Sequence, residues 1–406
     1  MKYQDIKKCP ITDSKNYFSY LNLGKMPLVN NLSNTKEESL NCDKFELKLN
    51  YFPSSKLTTL SQAVNPEILY SNYLYKSGIS QPYIEHCKDM YKFCNDILNI
   101  SNKDKILDIG GNDGTLLKTF LNINSNLDVL NIDMSSNLVK ECIKDNIPAL
   151  NKKWGLDVSK SLPDKFKLIT TTNCFQHTEG INDFTKGIKN SLHSKGIWCL
   201  EFPYWKNSLL TNQFDQVYHE HVYYYLIYPL NLLFKKYNLE IIDIKSYKIH
   251  GGSLRIIISH QGQYNIPSYV SSMIENEQKI INESYYKEWA KNINNHINET
   301  KRTLLDLKEK NKTIIGFGAA AKGCVHLNSA NIDHNILDCV IDDTNLKQGK
   351  YIPGTGIPIV SRSYLKQNKV DYILILAHNF SEYIVKSLYH EFKGKFITFS
   401  PKIKIF

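Results

Sequence analysis

Leu107-Asp108-Ile109-Gly110-Gly111-Asn112-Asp113-Gly114-Thr115 decides the fold. The apolar run Lys105–Ile109 reads as a buried strand, the glycines let the backbone turn sharply, and a helix is predicted from about Thr115. A turn of this kind lets a ligand approach the main chain closely and offers it the free N–H groups of a helix start. Its spacing is Gly-Gly-Asn-Asp-Gly rather than Gly-x-Gly-x-x-Gly, which suits a dinucleotide less well than another adenosine cofactor. The next strand ends in Asp133, about where a carboxylate can hold two ribose hydroxyls. Turn and carboxylate together point to S-adenosylmethionine, although the turn alone also suits a plain strand–helix connection.

Outward from that turn, strand and helix signals alternate. A helical pattern from about Pro82 (Tyr83, His86, Cys87, Met90, Phe93, Ile97) leads into the first strand, and further strands are predicted at 127–132, 166–171 and 196–201. Such alternation favours a parallel sheet covered by helices. A second alternating block opens with Lys312–Gly318 and continues through 337–342 and 372–376; its turn Gly316-Phe317-Gly318-Ala319-Ala320-Ala321-Lys322-Gly323 again follows a strand. Small residues there would admit a phosphate and Lys322 would neutralise it, unless this unit merely packs on the first. Residues 1–80 show short alternating runs (45–49, 56–60) that read as small strands. The predicted organisation is α/β: a small mixed domain (1–80), a Rossmann-like cofactor domain (81–265), a helical connector (266–310) and a C-terminal Rossmann-like unit (311–406).

Composition narrows the function classes. The 406 residues are 42% hydrophobic and 22% charged, as expected of a globular protein. No apolar run is long enough for a membrane span, and the first residues lack the apolar stretch of a signal peptide. The nine cysteines are scattered without a Cys-x-x-Cys pair, so a reduced, cytoplasmic setting is expected. The net charge of +10 is dispersed rather than patched, which fits anionic small molecules better than nucleic acid.

The chemistry is expected at Tyr218-His219-Glu220-His221, where a phenol, two imidazoles and a carboxylate occupy four consecutive positions. Such groups are costly to bury, which argues for a reacting centre over architecture. His219, on the opposite side of an extended segment, is expected to be structural.

The motifs together resemble the bacterial sugar-nucleotide C-methyltransferases. The resemblance runs nearly end to end: Leu107–Leu117, Asn173-Cys174-Phe175-Gln176-His177, Glu201-Phe202-Pro203-Tyr204, Phe214–His221, His250-Gly251-Gly252-Ser253-Leu254-Arg255, Gly316–Gly323 and Ile352-Pro353-Gly354-Thr355. It implies methylation of a carbon beside the ketone of a nucleotide-linked 4-keto deoxysugar. It implies that Asp108, Gly110, Asn112, Gly114, Asp133 and Asn173 hold S-adenosylmethionine. His177, Tyr218, Glu220 and His221 would line the reacting centre, with Tyr73, Tyr75 and His250 beside the substrate and Gly316, Gly318 and Lys322 at its diphosphate. An imidazole is the natural base near neutral pH. His221 is the first choice and His177 the close second, with Tyr218 as orienter or oxyanion donor and Glu220 fixing an imidazole. An O- or N-methyltransferase on a related sugar, or a silent nucleotide-sugar-binding partner, are the alternatives.

Two departures stand out. Members of that family usually begin with a zinc-binding domain of two Cys-x-x-Cys pairs. Here those positions read Cys9-Pro10-Ile11-Thr12 and Phe52-Pro53-Ser54-Ser55, so no tetrahedral thiolate site is expected and Cys42 does not restore one. His378-Asn379 stands where a tryptophan commonly precedes the asparagine, at a pocket expected to meet nucleotide or sugar.

Overall fold

The computed structural model describes residues 1–70, 76–79, 81–248, 251–400 and 402–406. Its centre is a seven-stranded sheet in the order Leu239–Tyr247, Ser253–His260, Leu192–Pro203, Phe166–Thr172, Lys105–Ile109, Asp128–Asp133, Ala149–Asn151. The last five run parallel, as the alternation predicts. The first two form an antiparallel hairpin at one edge, which the alternation does not announce. Buried ionic contacts hold that hairpin. Arg255, fully buried, donates from Nε to Glu201 Oε2 at 2.9 Å and from Nη1 to Asp89 Oδ2 at 2.9 Å. His86 Nε2 meets Glu201 Oε1 at 2.6 Å, so the helix Gln81–Leu98 is pinned to the hairpin.

The C-terminal sheet has the order Ile359–Val360, Val340–Ile341, Ile314–Phe317, Tyr372–Ile375, Lys395–Thr398, Lys404–Ile405, parallel except for its final strand. In the sequence, the helices Ser268–Ile280 and Glu283–Glu309 come between the two sheets. The polar stretch breaks at Ile281-Asn282, where the Asn282 side chain accepts from Tyr285 N and caps the second helix.

The N-terminal lobe is an antiparallel sheet of Phe18–Pro27, Lys44–Phe52 and Leu57–Leu60, completed at its edge by Tyr223–Tyr224. That last pairing ties the segment beyond His221 to the lobe. A further tie runs to the C-terminal unit. Ser39, in the short helix Lys36–Leu40, donates its hydroxyl to Ile352 O at 2.6 Å and accepts Gly356 N–H at 3.0 Å. Gly354, at φ 79°, has no room for a Cβ, which would lie 2.3 Å from Asn328 Oδ1. The Ile-Pro-Gly-Thr motif is therefore an architectural clamp between lobe and unit.

The positions at which the resemblance expects a zinc site are joined by hydrogen bonds. Cys9 Sγ lies 3.1 Å from Ser55 Oγ, and Thr12 Oγ1 lies 2.7 Å from Ser54 Oγ. One thiol and three hydroxyls are not a donor set for Zn²⁺, which needs thiolate or imidazole ligands.

Candidate active site

The strand Lys105–Ile109 ends in a turn with Gly110 at φ 71°, Asn112 at 56° and Gly114 at 76°, and helix Thr115–Ile123 follows. Larger residues do not fit there. A Cβ on Gly110 would lie 2.3 Å from Cys174 Sγ, and one on Gly111 would lie 2.4 Å from Asp108 Oδ2 and 2.2 Å from Asn131 Oδ1. Asp108 is buried, and its Oδ1 accepts from Thr170 Oγ1 at 2.8 Å. Burial pushes this carboxyl up to about 7. Its Oδ2 has no partner, and neither do Asn131 Oδ1 and Asn173 Oδ1, although all three are sealed from solvent. Unpaired buried acceptors are expensive, so three of them at the carboxyl ends of parallel strands mark a place for donors of a ligand. Asp133 stands beside them: its oxygens accept from Asn112 N at 3.0 Å and Ser135 N at 2.8 Å, which fixes the carboxylate at the strand end. The residues present fit an adenosine cofactor with ribose hydroxyls and an ammonium.

The helix start is not as open as the glycine turn suggests. Asp113 takes Thr115 N and Oγ1 at 3.3 and 2.6 Å, and its Oδ2 accepts from Gly78 N at 2.9 Å. Ser77 N donates to Asn112 Oδ1 at 3.2 Å, so residues 77–79 lie across the turn. Nothing in the spacing of Lys76-Ser77-Gly78 identifies that contact in advance.

His177 comes next along the same edge. Cys174 packs on Gly110, and the short 3-10 turn Phe175–His177 then brings the imidazole round. Val222 N donates to Gln176 O at 2.9 Å, joining this turn to the Tyr218–His221 segment, and the rings of His177 and His221 are 5.0 Å apart. His221 Nδ1 lies 2.9 Å from Gln216 O and Nε2 lies 2.9 Å from Tyr218 Oη. A carbonyl only accepts, so Nδ1 carries the proton and the Tyr218 hydroxyl donates to Nε2. Burial holds the imidazoles of His177, His219 and His221 below the usual range, His177 and His219 at about 4; for His221 the charges of His177 and Lys322 nearby add to the effect of burial. They are neutral at ordinary pH.

Some expectations change. Among the described residues, the partner of the Glu220 carboxylate is Asn30, whose Nδ2 donates at 2.6 Å, and not His177 or His221. His177 is instead met by Tyr70, whose hydroxyl lies 2.9 Å from Nδ1. Asn30 and Tyr70 both come from the N-terminal lobe and carry no motif that singles them out. His219 turns away to Phe45 O at 3.2 Å and packs against that ring. Tyr73, Tyr75 and His250 lie outside the described residues.

The second glycine turn, expected as a phosphate cradle, is packed closely against its own sheet. The space that Gly316 leaves is filled by Val340 Cγ2, 2.7 Å from a would-be Cβ, with Leu376 beside it; Gly318, at φ 87°, faces the Ala377 methyl at 2.6 Å. Both glycines serve the packing of their own sheet. Lys322, expected at a diphosphate, lies 3.2 Å from the fully buried Asp215, with His378 Nε2 3.1 Å from the same oxygen. Burial alone would raise Asp215; Lys322 and His378 outweigh it and hold the carboxyl well below the usual carboxylate range. The departure at His378 thus supplies a partner to Asp215, near the start of the Phe214–His221 stretch.

Residues 83–244 match the methyltransferase domain family, and residues 248–401 match the C-methyltransferase C-terminal domain family. The C-methyltransferase NovU of Streptomyces niveus is 25% identical over 408 residues, covering 98% of this chain and 97% of that protein. Among solved structures, an S-adenosylmethionine-dependent methyltransferase of Clostridium acetobutylicum is 14% identical, with a TM-score of 0.35 over 43% of this chain and 91% of its own. The PH0226 protein of Pyrococcus horikoshii is 14% identical, with a TM-score of 0.36 over 46% of this chain and 95% of its own. No helix among the described residues is long and apolar enough to cross a membrane. The chain is thus a methyltransferase, built from a methyltransferase domain and a C-methyltransferase C-terminal domain, with S-adenosylmethionine as its methyl donor.

Proposed function

We propose that the protein methylates the carbon beside the ketone of a nucleotide-linked 4-keto sugar. The observation that carries this reading is the pair of neutral, buried imidazoles, His177 and His221, at the edge of the cofactor cradle. A carbon-bound hydrogen leaves near neutral pH only where a neighbouring carbonyl takes up the charge as an enolate, and removing it needs an unprotonated base. The match to a C-methyltransferase C-terminal domain and the kinship with NovU support carbon over oxygen or nitrogen as the acceptor.

Asp108, Asn173 and Asp133, with the turn Gly110–Gly114, would hold S-adenosylmethionine, which supplies the electrophilic methyl that the enolate carbon takes up. The chain's own residues do the rest. An imidazole receives the proton. The developing oxyanion needs a donor, worth about 3 kcal/mol when well placed, and the Tyr218 hydroxyl would supply it by turning its proton from His221 Nε2 to the substrate oxygen. Asn30 orients the buried Glu220 carboxylate.

Purified protein, methyl-labelled S-adenosylmethionine and a panel of nucleotide 4-keto sugars, followed by mass spectrometry, test the reading. One labelled methyl on carbon, with one carbon-bound hydrogen lost, is the expected product. Label on oxygen or nitrogen would replace this reading with a heteroatom methyltransferase, and no transfer to any keto sugar would sink it.

A further inference from the structure

We infer that the cleft at the amino ends of strands Phe166–Thr172 and Leu192–Pro203 binds a small molecule carrying a diphosphate. The inference goes beyond the keto-sugar reading and does not depend on it.

The cleft lies at the edge of the central sheet opposite the cofactor cradle. Asp108, Asp133 and Asn173 stand at the carboxyl ends of the parallel strands, whereas Lys165 and His193 mark the amino ends. Strand Phe166–Thr172 alone sets the two edges about 20 Å apart, at roughly 3.3 Å per residue. His260 ends the antiparallel strand Ser253–His260 and reaches the same edge, where helix Ile181–Ser191 brings Lys186 and Lys189. The cleft between them has a volume of about 720 Å³, within the range of small-molecule sites, and no carboxylate lines it.

Its charge is held in place without being cancelled. Lys189 Nζ lies 2.9 Å from His260 Nδ1 and 3.3 Å from Asn238 O. His260 Nε2 meets Leu192 O at 3.1 Å, so the ring proton is there and the Nδ1 lone pair accepts from the ammonium. Burial, and after it the charges of Lys189 and His193, hold this imidazole below its usual range, so it stays neutral at ordinary pH. Lys165 likewise donates to a carbonyl, that of Asn190. Lys186 is exposed, with no hydrogen-bond or ion-pair partner among the described residues. Carboxylates are in supply at this edge of the sheet, since Lys105 pairs with Asp164 and Lys167 with Asp104. Among the described residues, none pairs with the three lysines of the cleft.

An ammonium fixed by neutral partners keeps its whole charge, and lysine meets phosphate as a point charge. A single phosphate carries roughly −1.5 to −2 near neutral pH, too little to balance three ammonium groups. Two linked phosphates match them better. His193 Nδ1 accepts from Lys195 N at 3.1 Å, which leaves Nε2–H as a further donor. A bounded cleft also differs from the basic stripe or face that nucleic acid requires.

Helix capping is the competing account, since lysines gather at helix C-termini and bond the last carbonyls. It explains Lys165, which reaches Asn190 O near the end of helix Ile181–Ser191. It leaves over Lys189, whose partners belong to other elements, and Lys186, which bonds no carbonyl among the described residues.

The test titrates inorganic pyrophosphate into the full chain by calorimetry, with S-adenosylhomocysteine present to keep the cofactor cradle filled. Lys186→Gln and Lys189→Gln are each expected to weaken binding roughly tenfold. Lys291→Gln, at an exposed position on helix Glu283–Glu309, removes the same charge outside the cleft. It should stay within about twofold of the wild type, because salt screens distant surface charges. Melting temperatures check folding, and Lys186→Gln carries the test alone if Lys189→Gln does not fold. A parallel titration with ADP separates the sources of the diphosphate. Binding tighter than that of pyrophosphate identifies a nucleoside diphosphate, and equal or weaker binding identifies the free anion. No binding of either probe, cleft variants that bind as the wild type does, or an equal loss in Lys291→Gln would overturn the inference. So would a short RNA that binds more tightly than both probes and loses affinity with the same variants, an outcome that assigns the cleft to nucleic acid.

Discussion

The two glycine turns can be laid over one another residue by residue. In each, a glycine just beyond the strand donates its N–H across to the neighbouring strand: Gly110 to Ile132 O and Gly318 to Ile341 O, both at 2.7 Å. In each, an aspartate at the end of that strand or just past it accepts an N–H from the turn: Asp133 from Asn112 and Asp342 from Ala319. The difference lies one layer down. Where the first unit pairs Asp108 with Asn131 across the strands, the second pairs Gly316 with Val340. The first floor is polar, with unpaired oxygens; the second is apolar and filled. The second aspartate also has a cation, since Lys347 Nζ stands 3.3 Å from Asp342 Oδ2 and donates to Ala319 O at 2.8 Å. One skeleton thus serves two ends, a cradle left needing donors and a turn closed on itself, and only the residues below the glycines distinguish them.

The largest expected effect would come from the second unit. Lys322→Met leaves Asp215 buried with His378 alone, and a loss of about 3 kcal/mol in urea unfolding is expected, because an uncompensated buried charge is costly. Adding Asp215→Asn should recover most of it. If Lys322→Met instead leaves stability intact and weakens binding of a nucleotide diphosphate, the lysine belongs to a ligand after all and the contrast between the turns collapses.

Asp108→Asn tests the first floor. The folded carboxyl titrates near 7 against about 4 in an unfolded chain, so ionising it opposes folding. That cost is absent below about pH 4, grows between pH 4 and 7, and is complete above. Without cofactor, the variant should therefore be more stable at pH 8, by about 2 kcal/mol, and equal to wild type at pH 4. Its affinity for S-adenosylmethionine should fall. A stability gain that is the same at both pH values would show that Asp108 is not a strained acid.

Alanine at the equivalent glycines sharpens the comparison further. Gly110→Ala and Gly318→Ala both force a side chain into left-handed backbone and into contact with a neighbour, and each should cost about 1–3 kcal/mol. Cofactor affinity, measured by calorimetry, should fall for Gly110→Ala and stay level for Gly318→Ala. The smallest effect concerns the N-terminal lobe, where a chelator should leave the melting temperature unchanged, because hydroxyls and a single thiol join Cys9–Thr12 to Ser54–Ser55. A drop would reveal a metal held elsewhere.

Much of this was legible in the chain. The strands at 105–109, 166–172 and 372–375, both glycine turns and the dense Tyr218–His221 segment follow from apolar runs and local composition, because period and turn chemistry are short-range properties. The antiparallel hairpin at 239–260 was not, since its direction is set by its neighbours. Nor was the insertion of Tyr223–Tyr224 into the N-terminal sheet, which joins residues more than 160 positions apart. The site divides the same way.

By itself the sequence determined which groups can do chemistry, since imidazoles, phenols, carboxylates and glycines are countable, and where the backbone must turn. The tertiary structure alone decided which of them remain free to act. Tyr70 meets His177 across 107 positions, Asn30 meets Glu220 across 190, and Asp215 claims Lys322 across the whole connector. Protonation site, tautomer and charge follow from the partner that packing brings up, and no local pattern encodes that partner.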